Sequence, residues 1–171
     1  QQIQFLLYNE TEYPRRLKKI YDYPYGMFRK GQAWEEKALT IAVVGSRKPT
    51  AYGMEVTKYL SRELTKLGVG IVSGLAKGID GAAHRGACSI QGSTVGILGC
   101  GIDRIYPWDN YQLFYEMYET QTVFSEYPPG TAPNPWRFPE RNRIISGMSD
   151  GILVTEAEEK SGSLITADLG L

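Results

Sequence analysis

A three-layer α/β fold, Rossmann-like and doubly wound around a mostly parallel sheet, is predicted by three observations. Five short apolar runs recur along the chain, helical patterns separate them, and glycine-rich turns follow several of the runs. The runs are Ile41–Gly45, Gly70–Gly74, Thr94–Gly99, Gln121–Glu126 and Gly151–Ala157. Each is mostly non-alternating, which suits strands buried on both faces of a parallel sheet.

The connecting segments follow in order. Val56, Leu60, Leu64 and Leu67 form one apolar stripe at helical spacing, ending at Gly68, a good residue to stop a helix. Ile79, Ala83, Ala87 and Ile90 predict a second helix whose small residues allow close approach to the sheet. Asp109 with Gln112 three residues on resembles a capping box and opens a third helix carrying Leu113, Phe114 and Met117. A fourth, shorter helix is expected from near Pro139, with Ile144, Ile145 and Met148. Strand–helix–strand units with connections of this length imply right-handed crossovers.

The first forty residues are less regular and read as a short strand, a short helix and a loop that extend or cap the sheet edge. The expected organisation is one domain, with residues 1–40 as an N-terminal extension and residues 41–171 as a core truncated before its final strand. The chain begins at Gln1 and stops at Leu171 inside a helical pattern, so flanking domains are expected in a longer polypeptide.

Composition bounds the function. At 171 residues and 19.1 kDa, with 42% hydrophobic and 22% charged residues, the chain is unlike disordered, collagen-like or disulfide-rich secreted proteins. Cys88 and Cys100 fit no C-x-x-C pattern and read as reduced core thiols. The apolar runs fall far short of the roughly 18–20 residues that cross a bilayer, so a cytoplasmic location without membrane attachment is expected. Nineteen Lys+Arg balance nineteen Asp+Glu. That neutrality argues against a strongly basic nucleic-acid binder but not against a local basic pocket, because net charge is a sum and a binding site is a place. The first 48 residues in fact hold nine Lys+Arg and five Asp+Glu.

In open α/β sheets ligands bind outside the carboxyl ends of the strands. The first exit reads Gly45-Ser46-Arg47-Lys48-Pro49-Thr50-Ala51-Tyr52-Gly53. Glycine, two hydroxyls, a helix start and a guanidinium suit phosphate, although the same residues could form a tight turn with a solvated Arg-Lys pair. The second exit, Ser73-Gly74-Leu75-Ala76-Lys77-Gly78-Ile79-Asp80, repeats the scheme, and the two loops together would form one anion-binding surface. The fifth exit, with Lys160-Ser161-Gly162-Ser163, again brings hydroxyls to a helix start, but three Glu between 156 and 159 would repel phosphate unless they point away.

The third exit, Gly99-Cys100-Gly101-Ile102-Asp103-Arg104, only approaches the dinucleotide fingerprint, with Arg104 where glycine is needed, and a P-loop is absent. No cofactor is expected. Before the fourth helix, Pro135-Trp136-Arg137-Phe138-Pro139-Glu140-Arg141-Asn142-Arg143 interleaves rings and guanidinium groups, the ingredients of single-strand recognition. At least one of these aromatics is expected to tie down the loop, whereas Arg141 and Arg143 are expected to contact ligand. Ser73, His84 and Asp80 could be imagined as a triad. The nucleophile elbow is missing, however, and a helix-capping Asp80 beside a satisfied core His84 is the expected arrangement. No metal-ligand spacing is present, and nothing demands an enzyme.

These motifs together are similar to those of a known family. The ordered set is G-S-R-x-x-T-x-Y-G at 45–53, S-G-L-A-x-G-I-D at 73–80 with Ala83-His84, L-G-x-G at 98–101 with Tyr106-Pro107, Ser125-Glu126, F-P-x-R-N-R-I-I at 138–145, and S-G-S-L-I-T at 161–166. With the upstream Y-P-x-x-L-x-x-I-x-D-x-P at 13–24 and Lys30-Gly31, it resembles the DNA-processing protein A (DprA, or Smf) family over about residues 5–171. The resemblance implies an extended Rossmann fold and a non-catalytic homodimer. It also implies binding of single-stranded DNA without sequence preference and loading of RecA recombinase in natural transformation. The DNA-binding residues it implies are Ser46, Arg47, Thr50, Gly74, Lys77, Arg141, Asn142 and Arg143, with Ser161 and Gly162 at the rim.

Two other functions remain open at this stage. A phosphoribohydrolase acting on nucleoside monophosphates has a similar fold, but its P-G-G-x-G-T-x-x-E signature is not matched by the segment from Glu156 to Ser163 or by Asp168. A nucleotide-sensing module would instead hold one mononucleotide in the same pocket.

Overall fold

The computed structural model describes residues 2–157. Seven strands form one sheet: β1 (Gln4–Leu7), β2 (Gly26–Gly31), β3 (Thr40–Val44), β4 (Gly70–Ser73), β5 (Thr94–Leu98), β6 (Thr122–Ser125) and β7 (Gly151–Val154). Their order is β1-β2-β6-β5-β4-β3-β7. The five strands from β6 to β7 are parallel, whereas β2 is antiparallel to β6 and β1 to β2. The sheet is thus mostly parallel, and its five parallel strands lie on the five apolar runs of the sequence.

The helices are α1 (Ala51–Lys66), α2 (Ile79–Cys88), α3 (Tyr111–Thr120) and α4 (Arg137–Gly147). Strand side chains divide between two faces, as period-two alternation requires. Ala42, Val44, Val72, Val95, Ile97 and Phe124 pack with Ile144 and Ile145 of α4 and with Met148 just after it. Val43 and Ile71 pack with Ile79, Ala83 and Ala87 of α2. Leu98 and Val123 pack with Leu113, Phe114 and Met117 of α3. With helices on both faces, the domain has three layers. The chain steps from β3 to β6 in one direction and then returns through α4 to place β7 beside β3. The connections leaving β3 therefore diverge at the β3/β7 boundary, the crevice where a Rossmann-type sheet holds its ligand.

Several sequence expectations are corrected. The first forty residues hold two strands rather than one, plus a single 3-10 turn at Leu17–Lys19. The fully buried face of α1 is the stripe Gly53, Thr57, Ser61 and Thr65, while Leu67 is 81% exposed. Small residues win there because α1 and α2 touch backbone to backbone: a Cβ on Gly86 would run into the Lys58 main chain. Both threonine hydroxyls are satisfied within the helix, Thr57 Oγ1 donating to Gly53 O at 2.7 Å and Thr65 Oγ1 to Ser61 O at 3.0 Å, whereas Ser61 Oγ is buried without a partner. Asp109 does not cap α3. It lies in a 3-10 turn, Trp108–Asn110, and Asn110 is the residue at the helix boundary.

Candidate nucleic-acid interface

The carboxyl ends of β3, β4 and β5 open onto a cavity of about 230 Å³. Its walls come from Arg47 and Lys48 after β3, Gly74 and Lys77 after β4, Cys100 after β5, the Tyr106-Pro107 segment, and Phe138 of α4. Three cations and two aromatic rings, distant in sequence, thus meet at one edge of the sheet.

Each wall has a local cause. Arg47 and Lys48 are exposed because Ser46 turns the chain outward: its Oγ accepts the Lys48 N–H at 3.0 Å, its own N–H donates to Glu156 O at 2.6 Å, and its carbonyl accepts the Ile79 N–H at 3.1 Å. Ser46 is therefore 8% exposed and holds the loop rather than offering its hydroxyl to a ligand. Thr50 caps α1, accepting the Gly53 N–H at 3.0 Å. Its own N–H and hydroxyl are taken by the Glu156 carboxylate at 2.8 and 2.7 Å. Glu156, one of the three acidic residues expected to repel phosphate at the fifth exit, instead reaches the N-terminus of α1.

The loop after β4 is clamped from two sides. Asn110, buried at the start of α3, donates from Nδ2 to Leu75 O at 3.1 Å and Ala76 O at 3.0 Å. The Asp80 carboxylate accepts the Gly74 N–H at 3.1 Å, so Asp80 closes this loop, and Gly78 is the residue that precedes α2. A Cβ on Gly74 would lie 2.6 Å from Asp80 Oδ2 and from both terminal nitrogens of Arg141, so only glycine fits between them. Lys77 projects outward and pairs with Asp109 at 2.6 Å, both side chains being about 60% exposed.

Two of the expected clamps do not face solvent freely. Arg141 is 3% exposed and donates to the carbonyls of Gly74 and Ile97. Burial lowers its pKa and raises that of Asp80, and the attraction between them opposes both shifts. Arg143 pairs with Asp22 at 2.9 Å and Glu126 at 2.8 Å, which hold its guanidinium charged against the cost of burial. Asn142 accepts from Arg141 Nε at 3.3 Å. Of the rings, Phe138 belongs to the site. It stacks with Tyr106 at 5.7 Å, and the Arg47 and Arg141 guanidinium carbons lie 5.1 and 5.9 Å from its centroid. Trp136 is 55% exposed and covered by Arg137 at 4.6 Å. Ser161 and Gly162 lie outside the described residues.

Sequence reading missed Tyr106 and Pro107 as cavity walls, Asn110 as the loop clamp and Glu156 as the cap's partner. Asn110 stands beside an aspartate at a helix start, a local signal that could have marked it. Glu156 carries none.

The histidine and cysteine side chains are buried. His84 is fully buried with Nδ1 2.8 Å from Thr94 Oγ1, and burial pushes its pKa down to about 3. Ser73 Oγ donates to Val43 O at 2.6 Å, so no triad forms. Cys88 and Cys100 are free and buried, their thiols pushed up to about 12 and 11 by desolvation. Among the described residues no group of three His, Cys, Asp or Glu could hold a metal, and no helix is long and apolar enough to cross a membrane.

The chain and its fold are similar to known proteins. The chain is 47% identical to DNA processing protein DprA of Bacillus subtilis over 160 residues, 93% of this chain and 54% of that one. It is 41% identical to protein Smf of Escherichia coli, covering 93% of this chain and 43% of the relative. The chain thus spans about half the length of these relatives. The X-ray structure of DprA from Streptococcus pneumoniae superposes with a TM-score of 0.93 at 40% identity, over 99% of this chain and 60% of that one. DNA processing protein A from Helicobacter pylori, whose structure was described for its single-stranded DNA binding mode, gives 0.89 at 32% identity, over 98% and 75%. A molybdenum cofactor binding protein from Rippkaea orientalis shares the fold alone, at 0.53 and 18% identity over 77% and 69%. The model of the DNA recombination-mediator protein A family matches residues 4–171, and the chain belongs to that family.

Proposed function

We propose that this domain binds single-stranded DNA without sequence preference, and that as part of a cytoplasmic homodimer it hands the strand to RecA during recombination or natural transformation, performing no catalysis itself. The observation that supports this most is the cavity at the strand ends. Arg47, Lys48 and Lys77 surround its aromatic wall of Tyr106 and Phe138. Cations beside ring faces are what a single strand needs, since its phosphates seek charge and its bases seek planes. The relationship to the H. pylori protein supports the same ligand.

Within this reading the expected DNA-binding residues divide by role. Arg47, Lys48, Lys77 and Phe138 touch the strand, with Gly74 allowing it close to the backbone. Ser46 and Thr50 shape the first loop, and Asn142, Ser161 and Gly162 are proposed as further contacts to the strand. Arg141 and Arg143 act from beneath, Arg141 holding the loop after β4 and Arg143 tying α4 to Asp22 and Glu126.

Fluorescence anisotropy with labelled oligo(dT) tests the proposal. Binding should weaken with a salt slope of roughly 0.7 log units per phosphate neutralised, and Arg47→Ala or Lys77→Ala should each reduce that slope by about one such step. Variants that bind as the parent chain does would refute the site. AMP competing fully with oligo(dT) would favour a nucleotide-sensing module, and release of free base from AMP a phosphoribohydrolase. The Glu156 carboxylate at the α1 N-terminus argues against both, because it occupies the position a mononucleotide phosphate would take.

A further inference from the structure

We propose that Trp108 and Tyr111 form a stacking subsite for an unpaired nucleobase at the mouth of the cavity, beyond the walls described above; the inference rests on the single-strand reading. The two rings stand 5.6 Å apart, with planes only 17° from parallel. Trp108 is 66% exposed and Tyr111 40%. Trp108 has no other ring partner among the described residues, and it is the more exposed ring of the pair.

Three features point to a nucleic-acid base as the occupant. Trp108 directly follows Tyr106 and Pro107, which line the cavity, so the ring pair continues the proposed interface. The next residue, Asp109, pairs with Lys77, which brings a cavity cation to the same turn. A nucleotide bridging the two would set its base on indole and its phosphate on ammonium, the pairing that single-strand grooves use. The platform is also preorganised. Asn110 pins the same 3-10 turn to the carbonyls of Leu75 and Ala76, and Pro107 fixes the backbone ahead of it. Little conformational freedom is therefore lost when a base lands.

Anisotropy with labelled oligo(dT) and with an abasic deoxyribose-phosphate oligomer of equal length tests this. Trp108→Ala should weaken oligo(dT) binding about 5- to 100-fold, the range for one lost base stack. Trp108→Phe should restore part of the loss. Both variants should leave binding to the abasic oligomer within about twofold of the parent chain, because the contact is with the base. Trp108→Ala binding oligo(dT) as the parent does, while Arg47→Ala weakens it, overturns the stacking subsite and leaves the single-strand reading standing; the ring pair would then serve a protein partner. Equal loss on both oligomers also overturns it. Failure of the parent chain to bind oligo(dT) at all overturns both readings.

Discussion

The Glu156 carboxylate rests on Thr50, one oxygen 2.8 Å from the backbone nitrogen and the other 2.7 Å from the hydroxyl, so the N-terminus of α1 already holds an anion. Helix N-termini attract negative charge through free N–H groups and the aligned peptide dipoles. Here the protein's own side chain satisfies that demand, and Gly53 gives it room, because a Cβ there would collide with Glu156 Oε2. Glu156→Ala should cost about 0.5–2 kcal/mol of stability. It should also create a new response: added orthophosphate or AMP should raise the melting temperature of the variant more than that of the parent chain. Thermal melts across a phosphate titration check this, and equal shifts would show that the crevice is closed by more than this carboxylate.

Lys77 is held by Asp109 across 2.6 Å of solvent-exposed space. A phosphodiester must break that pair to use the ammonium. Exposed pairs are worth about 0–1 kcal/mol, so Asp109→Asn should tighten oligo(dT) binding by up to about fivefold at low salt, with the gain shrinking as salt rises. Titrations at two ionic strengths would show it, and weaker binding by the variant would place Asp109 among the strand's own contacts.

Arg141 is a structural cation. Replacing it with Met leaves the buried Asp80 carboxylate with only Arg47 as a nearby positive charge and the Gly74 and Ile97 carbonyls without this donor. The expected cost is about 3–5 kcal/mol in urea unfolding. Adding Asp80→Asn should recover part of it. A loss under 1 kcal/mol for Arg141→Met would mean that the guanidinium is not paired in solution.

His84 predicts a pH dependence. Its folded pKa is depressed to about 3 by burial, with the nearby Arg85 and Arg141 charges adding to the effect. The unfolded chain therefore takes up a proton near pH 6.5 that the folded chain refuses until about pH 3. Stability contributed by this residue is whole above pH 6.5 and falls as pH drops through that window, by about 1.4 kcal/mol per unit. Asp80, raised in the folded state, acts in the opposite sense below its folded pKa. Comparison with His84→Gln isolates the histidine, since the variant should show a flatter loss between pH 6 and pH 4. Parallel curves would count against burial of the neutral ring.

What sequence could and could not reveal follows from the range of each interaction. The five parallel strands are plain because burial on both faces makes them continuous apolar runs. β1 and β2 are antiparallel strands interrupted by exposed residues such as Phe5, and they resemble loop until their ladder is seen. The buried stripe of α1 carries small and hydroxyl residues, so a search for large apolar groups finds the half-buried stripe beside it. Cations were readily found from composition and spacing. Whether each is free depends on partners far along the chain: Asp22 and Glu126 for Arg143, Asp80 and two carbonyls for Arg141, Asp109 for Lys77. No local pattern encodes those pairings, which is why Arg141 and Lys77 look alike in sequence and behave oppositely in the fold.

The single turn from Trp108 to Asn110 faces three ways at once: an open ring, a carboxylate over Lys77, and an amide beneath the loop after β4. Only the last is buried. Under the proposed reading, grip on a single strand and its sensitivity to salt can therefore be changed at two adjacent surface positions, with the core untouched. The same turn offers an engineer a compact place to retune the domain.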